Sequence, residues 1–256
     1  MLRSLLARAT PALAPVFAPV AARLRALPGR CVVCAAWPAR TFCDACVARF
    51  ARPAARCTTC ALLVAPGVER CGACLREPPP LDACLAAVSY AYPWAGCIAD
   101  FKFRGQAGLA GALALLLHST PWVEPALDAA DLLLPLPLSR ERLRERGYNQ
   151  ARLLSHHLAG HKTDDRLLLR ARHTPALSGL DRAARLRHVH GAFVVDPLRA
   201  HLLRGRSVLL VDDVMTSGAT LFAAARAVRQ AGAAKVAAVV VARTEPGEAD
   251  GFGEPA

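Results

Sequence analysis

The segment that most restricts the fold of this chain is SVLLVDDVMTSGAT, residues 207–220. Its apolar run, residues 208–211, is typical of a strand buried on both faces of a parallel sheet. Asp212 and Asp213 follow that run at the carboxyl end of the strand, the edge at which open α/β sheets bind their ligands. The next residues are small or carry hydroxyl groups, and a helical pattern begins after them. We therefore predict a strand, a ligand-binding loop and a helix start, in that order.

The loop has the composition of a phosphate-binding site. A glycine among small residues lets backbone N–H groups curl around an anion at the helix N-terminus, and hydroxyl groups add donors. The segment has neither the Gly-Lys-Ser/Thr of a nucleoside triphosphate loop nor the GxGxxG of a dinucleotide loop. The alternative is that the two aspartates only cap a turn. The predicted loop residues are Met215, Thr216, Ser217, Gly218, Ala219 and Thr220.

Eight of the ten cysteines fall into four CxxC pairs that are separated by short loops of similar length. Each pair can place two thiolates on one cation, and two pairs complete a tetrahedral shell of four sulfurs. A site closed by four thiolates has no open position for catalysis, so the segment is predicted to be structural or partner-binding. We expect two structural zinc ions in successive ribbons, one held by Cys31, Cys34, Cys43 and Cys46 and the other by Cys57, Cys60, Cys71 and Cys74.

Three other interpretations of the cysteine pairs stay open: a disulfide framework, an iron–sulfur cluster and a thioredoxin-like redox pair. Disulfides need an oxidising compartment, which the N-terminus does not indicate. A redox CxxC usually opens a helix after a strand, whereas these pairs lie among Arg, Pro and Gly residues. Cys84 and Cys97 lie outside the pattern and are predicted to be small core residues.

The chain is basic, and its charge is unevenly distributed. Lys and Arg total 32 against 20 Asp and Glu, which gives a net charge of +12. Residues 1–80 contain 11 basic and 3 acidic side chains, so this third of the chain carries +8 of the total. A basic region can serve a nucleic acid or an anionic substrate. An Arg-rich and Ala-rich composition without a partner is the alternative.

Residues 1–30 lack acidic side chains and contain an Ala/Pro/Val run, which is compatible with a secretory or transit peptide. Prolines and Arg8 interrupt that run, so we interpret the segment as a short basic helix and tether. No uninterrupted apolar stretch reaches the roughly 18 residues of a membrane-spanning helix. We therefore predict a soluble, cytoplasmic protein with no membrane span.

Strand and helix patterns alternate after the cysteine pairs, which predicts a parallel sheet covered by helices on both faces. The segment PPPLD, residues 78–82, is interpreted as a domain boundary. Predicted strands lie near 85–92 and at 132–138, 207–212 and 235–242, predicted helices within 94–119 and at 149–160 and 219–231, and an irregular basic hood extends to about 195. The predicted organisation is a basic helix or tether (1–30), a double zinc ribbon (31–78), an α/β domain (79–245) and a disordered tail (246–256).

These segments together resemble a known family. Residues 207–220 are similar to the phosphoribosyl diphosphate (PRPP) signature of type I phosphoribosyltransferases. The wider match, residues 31–245, resembles the ComF family, also called ComF/GntX, which joins a double zinc ribbon to a phosphoribosyltransferase domain and is associated with DNA uptake in naturally competent bacteria. Leu177, where Gln is common, and His188, where Asn is common, depart from the family in the region expected to cover the substrate. The other matching segments are FKFRG (101–105), DLLLPLPLSRERLRERGYNQ (131–150) and HTPALSGLDRAARLRHVHGAF (173–193).

The resemblance implies roles for the site residues. Asp212 and Asp213 would hold the ribose 2′ and 3′ hydroxyls, directly or through Mg2+, and residues 216–220 would bind the 5′-phosphate. Nearby carboxylates stabilise the oxocarbenium-like ring that forms when pyrophosphate leaves. Mg2+ and cationic side chains suit the pyrophosphate itself. The candidates for this are Arg140, Arg142 and Arg146 in a basic loop, together with Lys102, Arg104 and Asn149.

Each of these candidates also has an ordinary structural interpretation. Arg and Glu alternate at residues 140–146, as they do on a solvated helix face with i,i+4 pairs. Asn149 suits a helix N-cap. The cations of FKFRG can lie in solvent with their aliphatic chains against the two phenylalanines.

Two functions are consistent with these features. The first is an enzyme that transfers phosphoribosyl to an unidentified acceptor. The second is a non-catalytic accessory of DNA uptake, with a regulatory or vestigial PRPP site and zinc ribbons that bind single-stranded DNA or a helicase-like partner. The intact acids and loop favour PRPP binding, and an aromatic content of 5% argues against an extended base-stacking platform.

Overall fold

A computed structural model describes residues 29–171 and 191–246 of the chain. Three expectations therefore lie outside the described residues: the N-terminal helix or tether up to residue 28, the departures at Leu177 and His188, and the tail from residue 247 onward.

The chain divides into two compact units, Met1–Cys43 and Asp44–Ala256. Residues 44–78, which we assigned to the ribbon from the sequence, therefore belong to the same unit as the sheet. The boundary predicted at PPPLD falls inside this one unit.

The second unit contains six described strands: β1 (Ala83–Ser89), β2 (Leu132–Pro135), β3 (Leu168–Arg170), β4 (Phe193–Val195), β5 (Ser207–Met215) and β6 (Lys235–Arg243). Four of them form a parallel sheet with the order β1-β6-β5-β2, and β3 and β4 form an antiparallel pair. The central strands β5 and β6 stay in register from Ser207 and Lys235 to Met215 and Arg243. Because the four strands of the main sheet run in one direction, their carboxyl ends share one edge.

The described α-helices are α1 (Asp44–Phe50), α2 (Gly72–Arg76), α3 (Trp94–Phe103), α4 (Leu109–His118), α5 (Val123–Ala129), α6 (Arg140–Arg146), α7 (Gln150–Ala159) and α8 (Ala219–Gln230). Short 3₁₀ helices occur at Gly160–Lys162 and Ala200–Leu203. Within the described part of the chain, no helix is both long and apolar enough to cross a membrane.

Both faces of the parallel sheet are covered by helices. Val208 and Leu210 of β5 belong to a buried cluster that includes side chains of α8. Leu209 and Val211 are equally buried but point to the opposite face, because successive side chains of a strand alternate. α7 packs against β5 and β2, and α4 packs against α7. The predicted α/β class, a parallel sheet with helices on both faces, is confirmed.

Two strands differ in length from the prediction. β2 ends at Pro135, earlier than expected, since Pro135 and Pro137 lack the N–H group that a sheet ladder requires. β5 continues to Met215, because its pairing with β6 extends to Arg243. Asp212 and Asp213 therefore lie within the final part of the strand and not after it.

The basic segment at residues 139–146 is a helix and not the loop we expected. The Ser139 hydroxyl caps α6 by accepting a hydrogen bond from the Arg142 backbone N–H at 3.3 Å. The helix ends at Gly147, which has a φ of 77°. None of the residues of α6 is buried. The hood predicted to be irregular likewise contains the β3–β4 pair.

Candidate functional site

The eight cysteines of the CxxC pairs form two groups of four. In each group the four sulfur atoms all lie within 4.8 Å of one another. Four thiols at these separations fit the tetrahedral shell of a structural zinc ion. The groups are Cys31, Cys34, Cys43 and Cys46, and Cys57, Cys60, Cys71 and Cys74, which are the two predicted sets.

The two groups have the same local backbone. Ala35 and Ala61 each follow the first CxxC pair of a group with a φ of 58°, and each donates its backbone N–H to the carbonyl of the first cysteine at 2.8 Å. In the second group the Cys71 backbone N–H points at the Cys57 sulfur at 3.3 Å, and the equivalent distance in the first group is 3.4 Å. The repeated geometry indicates two successive ribbons of one design.

Cys57 illustrates how the backbone prepares a thiolate. Burial acts to raise its pKa, but hydrogen bonds from the backbone N–H groups of Cys71, Thr59 and Cys60 outweigh burial and lower the pKa to about 6. The thiolate is the form of cysteine that binds a metal. By contrast, burial raises the pKa of Cys84, which lies outside both groups, to about 12.

The acid pair lies at the carboxyl edge of the central strand β5. Asp213 is 5% exposed, and its backbone N–H donates to Oδ1 of Asp212 at 2.9 Å. Burial, together with the neighbouring carboxylate of Asp213, raises the pKa of Asp212 to about 7, although Lys102 acts in the opposite direction. Asp212 therefore exchanges its proton near neutral pH.

Lys102, near the end of α3, is brought to the acid pair. Its Nζ lies 2.9 Å from Oδ1 of Asp213, and the two side chains are only 16% and 8% exposed. The structural interpretation of FKFRG placed this ammonium in solvent. In the fold it is instead a partner of the acid pair. The Lys102 ammonium therefore occupies a position beside the carboxylates that a metal ion or a cationic ligand group would otherwise take.

Two segments of the family resemblance meet beside the acids. Tyr148 donates its hydroxyl to the backbone carbonyl of Phe101 at 2.5 Å. The Arg146 guanidinium lies 4.9 Å from the centroid of the Phe103 ring. These contacts hold the end of α3 against the turn between α6 and α7. The charge of Arg146 also acts to lower the pKa of Asp212, so this arginine contributes to the field at the acid.

Asn149 has a capping role. Its Oδ1 accepts a hydrogen bond from the Arg152 backbone N–H at 3.2 Å, which caps α7. Its Nδ2 donates to the carbonyl of Leu136 at 3.0 Å and so ties the end of β2 to that helix. Both polar atoms of the amide are used by the backbone.

The remaining cationic candidates lie further toward solvent. Arg104, the C-cap of α3, is exposed and pairs with Asp100 of that helix at 2.5 Å. Arg140 is exposed at the first position of α6, whereas Arg142 is half-buried. Of the predicted cations, the structure therefore brings Lys102 and Arg146 to the acids.

Arg170 on β3 is a further candidate for the site, and it was not predicted from the sequence. Its guanidinium lies 5.3 Å from the ring centroid of Phe193 on the paired strand. Burial lowers the pKa of Arg170, and the charge of Arg142 lowers it as well, whereas Asp212 acts to raise it. Arg170 thus shares the electrostatic environment of the acid. A strand of three residues is too short to give a periodic signal that would have found it.

The predicted loop, residues 215–220, comprises the last residue of β5, the turn at residues 216–218 and the first two residues of α8. Gly218 is the N-cap of α8 with a φ of 82°, and its carbonyl accepts the Phe222 N–H at 2.8 Å. The side chains of Met215 and Ala219 are buried, so these two residues can offer a ligand only backbone groups. The hydroxyl-bearing members with accessible surface are Thr216, Ser217 and Thr220.

A parallel sheet with buried acids, a nearby lysine and a glycine-capped helix start at one edge suits a ligand that carries both a sugar and a phosphate. The family model described as a phosphoribosyl transferase domain matches residues 173–250. The α/β domain is therefore of the phosphoribosyltransferase type.

Comparison with similar proteins identifies the family to which this chain belongs within the phosphoribosyltransferase class. "DNA utilization protein YhgH" of Salmonella typhimurium is 30% identical over 228 residues, which cover 85% of this chain and 98% of that protein. "Competence protein F" of Haemophilus influenzae is 31% identical and covers 66% of this chain and 76% of its own length. "Competence protein ComFC" of Bacillus subtilis is 31% identical, with coverages of 57% and 58%. This chain belongs to the ComF family.

We expect Gly218→Ala to destabilise the domain by ~2–4 kcal/mol, because steric overlap adds to the strain of a left-handed backbone. A Cβ at this position would lie 2.5 Å from Cε of Met215 and 2.7 Å from the Phe222 ring. Urea denaturation measures the loss. Gly205→Ala is the matched control, since Gly205 has a φ of 70° and nothing within 4 Å of a Cβ. Its expected loss is ~1 kcal/mol, and equal losses in the two variants would contradict the steric part of the argument.

Proposed function

We propose that this chain binds PRPP with Mg2+ and transfers the phosphoribosyl group to an acceptor that is still to be identified. The observation that carries the proposal is the position of Asp212 and Asp213 next to a glycine-capped helix start at the carboxyl edge of β5. The acids suit the hydroxyls of a ribose, and the helix start suits a phosphate. PRPP carries both groups on one sugar ring.

The 5′-phosphate is assigned to residues 216–220. The first turn of α8 leaves backbone N–H groups without helical partners, and these point out of the helix start. The positive end of the helix dipole favours an anion there. The hydroxyls of Thr216, Ser217 and Thr220 add donors, while Met215, Gly218 and Ala219 contribute backbone only.

The ribose is assigned to the acid pair, whose carboxylates accept hydrogen bonds from the 2′ and 3′ hydroxyls. In the reaction the bond between C1′ and the pyrophosphate oxygen breaks, and a bond between C1′ and the acceptor forms. Pyrophosphate leaves with the bonding electrons, and the acceptor loses a proton. Asp212 and Asp213 stabilise the positive charge that develops on the ring between these events.

The pyrophosphate is assigned to the cations around the acids. Lys102 pairs with Asp213, Arg146 and Arg170 interact electrostatically with Asp212, and Arg140 and Arg142 lie on α6. Mg2+ suits two linked phosphates, since it prefers a few protein oxygens and several ligand oxygens, and it neutralises the leaving group. Binding the magnesium complex requires Lys102 to share or leave Asp213.

The two cysteine groups are proposed to hold structural zinc ions, and the family names suggest the setting in which the protein works. The relatives are named for DNA utilization and competence. These names support a role in DNA uptake for a protein that works in the cytoplasm. In that setting the basic ribbon region is proposed to contact single-stranded DNA or a helicase-like partner. If the PRPP site is regulatory or vestigial, these contacts are the main function.

Calorimetric titration of the zinc-loaded protein with PRPP and Mg2+ tests the proposal directly. We expect the parent to bind and the Asp212→Asn/Asp213→Asn variant to bind at least about a hundredfold more weakly, because two charged acceptors are lost. Glu124→Gln/Asp128→Asn, at two exposed positions of α5, makes the same change of charge away from the site and should bind like the parent.

A folded parent that does not bind PRPP would contradict the proposal and leave the accessory role. The salt dependence of single-stranded DNA binding is then informative, since a steep fall in affinity with salt reports neutralised phosphates.

Affinity for the magnesium complex of PRPP should rise with pH. Asp212, with a pKa of about 7, is protonated below that pH and is then a poor ligand. The association constant should therefore fall by up to about tenfold per pH unit below the pKa. Asp212→Asn should abolish this dependence, and Lys102→Met should move its midpoint to higher pH, because Lys102 acts to lower the pKa.

The stability of the ligand-free protein should change in the opposite direction. The folded pKa of Asp212 lies above the unfolded value of about 3.9, so the protonated acid favours the folded state. That contribution is complete below the unfolded pKa and is lost as pH rises through about 7. Urea denaturation of the parent and Asp212→Asn across this range measures the difference, and parallel curves would contradict the assignment.

Metal analysis of the purified protein should find two zinc ions per chain and no visible absorption of an iron–sulfur cluster. Cys71→Ser should lose one ion, because it removes a ligand of the second group. Cys97→Ala, which changes a buried cysteine outside the groups, should keep both. Cluster absorption in place of zinc would overturn the assignment.

A further inference from the structure

Arg243, the last residue of β6, connects the second cysteine group with the phosphate loop. The residue is 4% exposed. Its Nε donates to the backbone carbonyl of Cys60 at 2.8 Å. Its Nη1 donates to the carbonyl of Met215 at 2.9 Å and also to that of Thr216. One side chain thus bonds both to a cysteine pair of the ribbon and to the start of the loop.

The sheet determines where Arg243 lies. It is in register with Met215 of β5 on one side and with Ser89 of β1 on the other. The adjacent Thr244 backbone N–H also donates to the Met215 carbonyl, at 3.0 Å. A guanidinium suits this position, because its planar donors can serve acceptors in several directions at fixed angles.

The second cysteine group is packed into the α/β core. Cys57, Cys60 and Cys74 belong to the same buried cluster as Met215 and side chains of α8. Four thiolates around a divalent metal carry a net negative charge, which stabilises a buried cation beside them. The metal-bound group is therefore a suitable neighbour for Arg243.

A second connection joins the same ribbon to the ends of the strands. Arg56 donates to the Ala61 carbonyl at 2.9 Å and to Glu245 at 3.2 Å. It also reaches the Ser89 hydroxyl at 3.0 Å. Glu245 in turn accepts the Leu63 backbone N–H at 3.2 Å. The ribbon is thus held to the carboxyl edge of the sheet by two arginines.

The orientation of the loop peptides follows from these bonds. The carbonyl of Thr216 and the N–H of Ser217 belong to one planar trans peptide and point in opposite directions. The same relation joins the carbonyl of Met215 to the N–H of Thr216. When Arg243 holds the two carbonyls, the two N–H groups are turned away from its guanidinium.

We propose that Arg243 is a positioning residue through which the metal-bound second cysteine group keeps the loop in its phosphate-binding conformation. The proposal rests on the PRPP site proposed above. Metal at the second group and PRPP at the loop are then linked. By reciprocity, PRPP tightens the binding of that metal by the same factor by which the metal tightens PRPP binding.

Hydrogen exchange of the backbone amides of residues 214–220, measured in the absence of PRPP, tests the bridge. Cys71→Ser removes one ligand of the second group without touching Arg243. We expect exchange in this segment to become about tenfold faster, the factor for one weakened buried hydrogen bond. Leu113→Ala is the control: this fully buried side chain of α4 lies outside the cluster, and its loss destabilises the domain without releasing the loop.

Arg243→Lys is the second variant. An ammonium cannot reach the Cys60 carbonyl and the two loop carbonyls together, so the loop should again exchange about tenfold faster and PRPP bind about tenfold more weakly. Both zinc ions should remain, which separates loss of the bridge from loss of the metal.

The exchange experiment distinguishes failure of the bridge from failure of the PRPP site. Faster exchange in both variants supports the bridge even where the parent binds no PRPP. Unchanged exchange in Cys71→Ser, with the second zinc lost and PRPP still bound as in the parent, overturns the bridge and leaves the PRPP site intact. Equal acceleration in Leu113→Ala also overturns it, since the effect would then be global.

Discussion

The pairing of β5 with β6 is the constraint on which the rest of the site depends. Because this ladder continues past the acids to Met215 and Arg243, Asp212 and Asp213 are held in extended backbone, and the turn to α8 starts only after them. The side chains of successive strand residues alternate, so Asp213 meets the lysine of α3 while Asp212, on the other face, interacts electrostatically with the arginine of β3. A slip of one residue would exchange these faces and separate both acids from their cations.

The electrostatics of the ligand-free site are only partly balanced. Adjacent carboxylates at low exposure repel one another, and a single lysine within 2.9 Å of Asp213 leaves the pKa of Asp212 at about 7. The other candidate cations lie closer to solvent, so their charges act more weakly on the acids. Such a site gains most from a ligand that brings a metal ion to the carboxylates and phosphates to the cations. Magnesium-bound PRPP has this distribution of charge, whereas a free sugar has neither part.

Structural features that depend on residues close together in the sequence could be predicted, whereas contacts between residues far apart in the sequence could not. The buried run 208–211, the loop after it and the cysteine sets each depend on residues close together in the chain, and all were found. The Arg243–Cys60 bond joins residues 183 positions apart, and nothing near Arg243 in the sequence distinguishes it from other arginines. Arg170 was missed for a similar reason, because its importance comes from the side chains that surround it in the fold. Asn149 had two local interpretations, and only its bonds to Arg152 and Leu136 show the capping one.

The second ribbon also provides a hydrogen-bond partner for the edge of the sheet. β1 is an edge strand of the described sheet, and an edge strand exposes backbone groups that need partners. The Thr58 carbonyl, inside the second cysteine group, accepts the backbone N–H of Cys84 on this edge at 2.8 Å. Metal binding at four cysteines contributes folding free energy to whatever the ligands are packed into. Here that is the core beneath β5 and α8, so a metal bound at the second cysteine group would stabilise the same elements that present the acids and the loop.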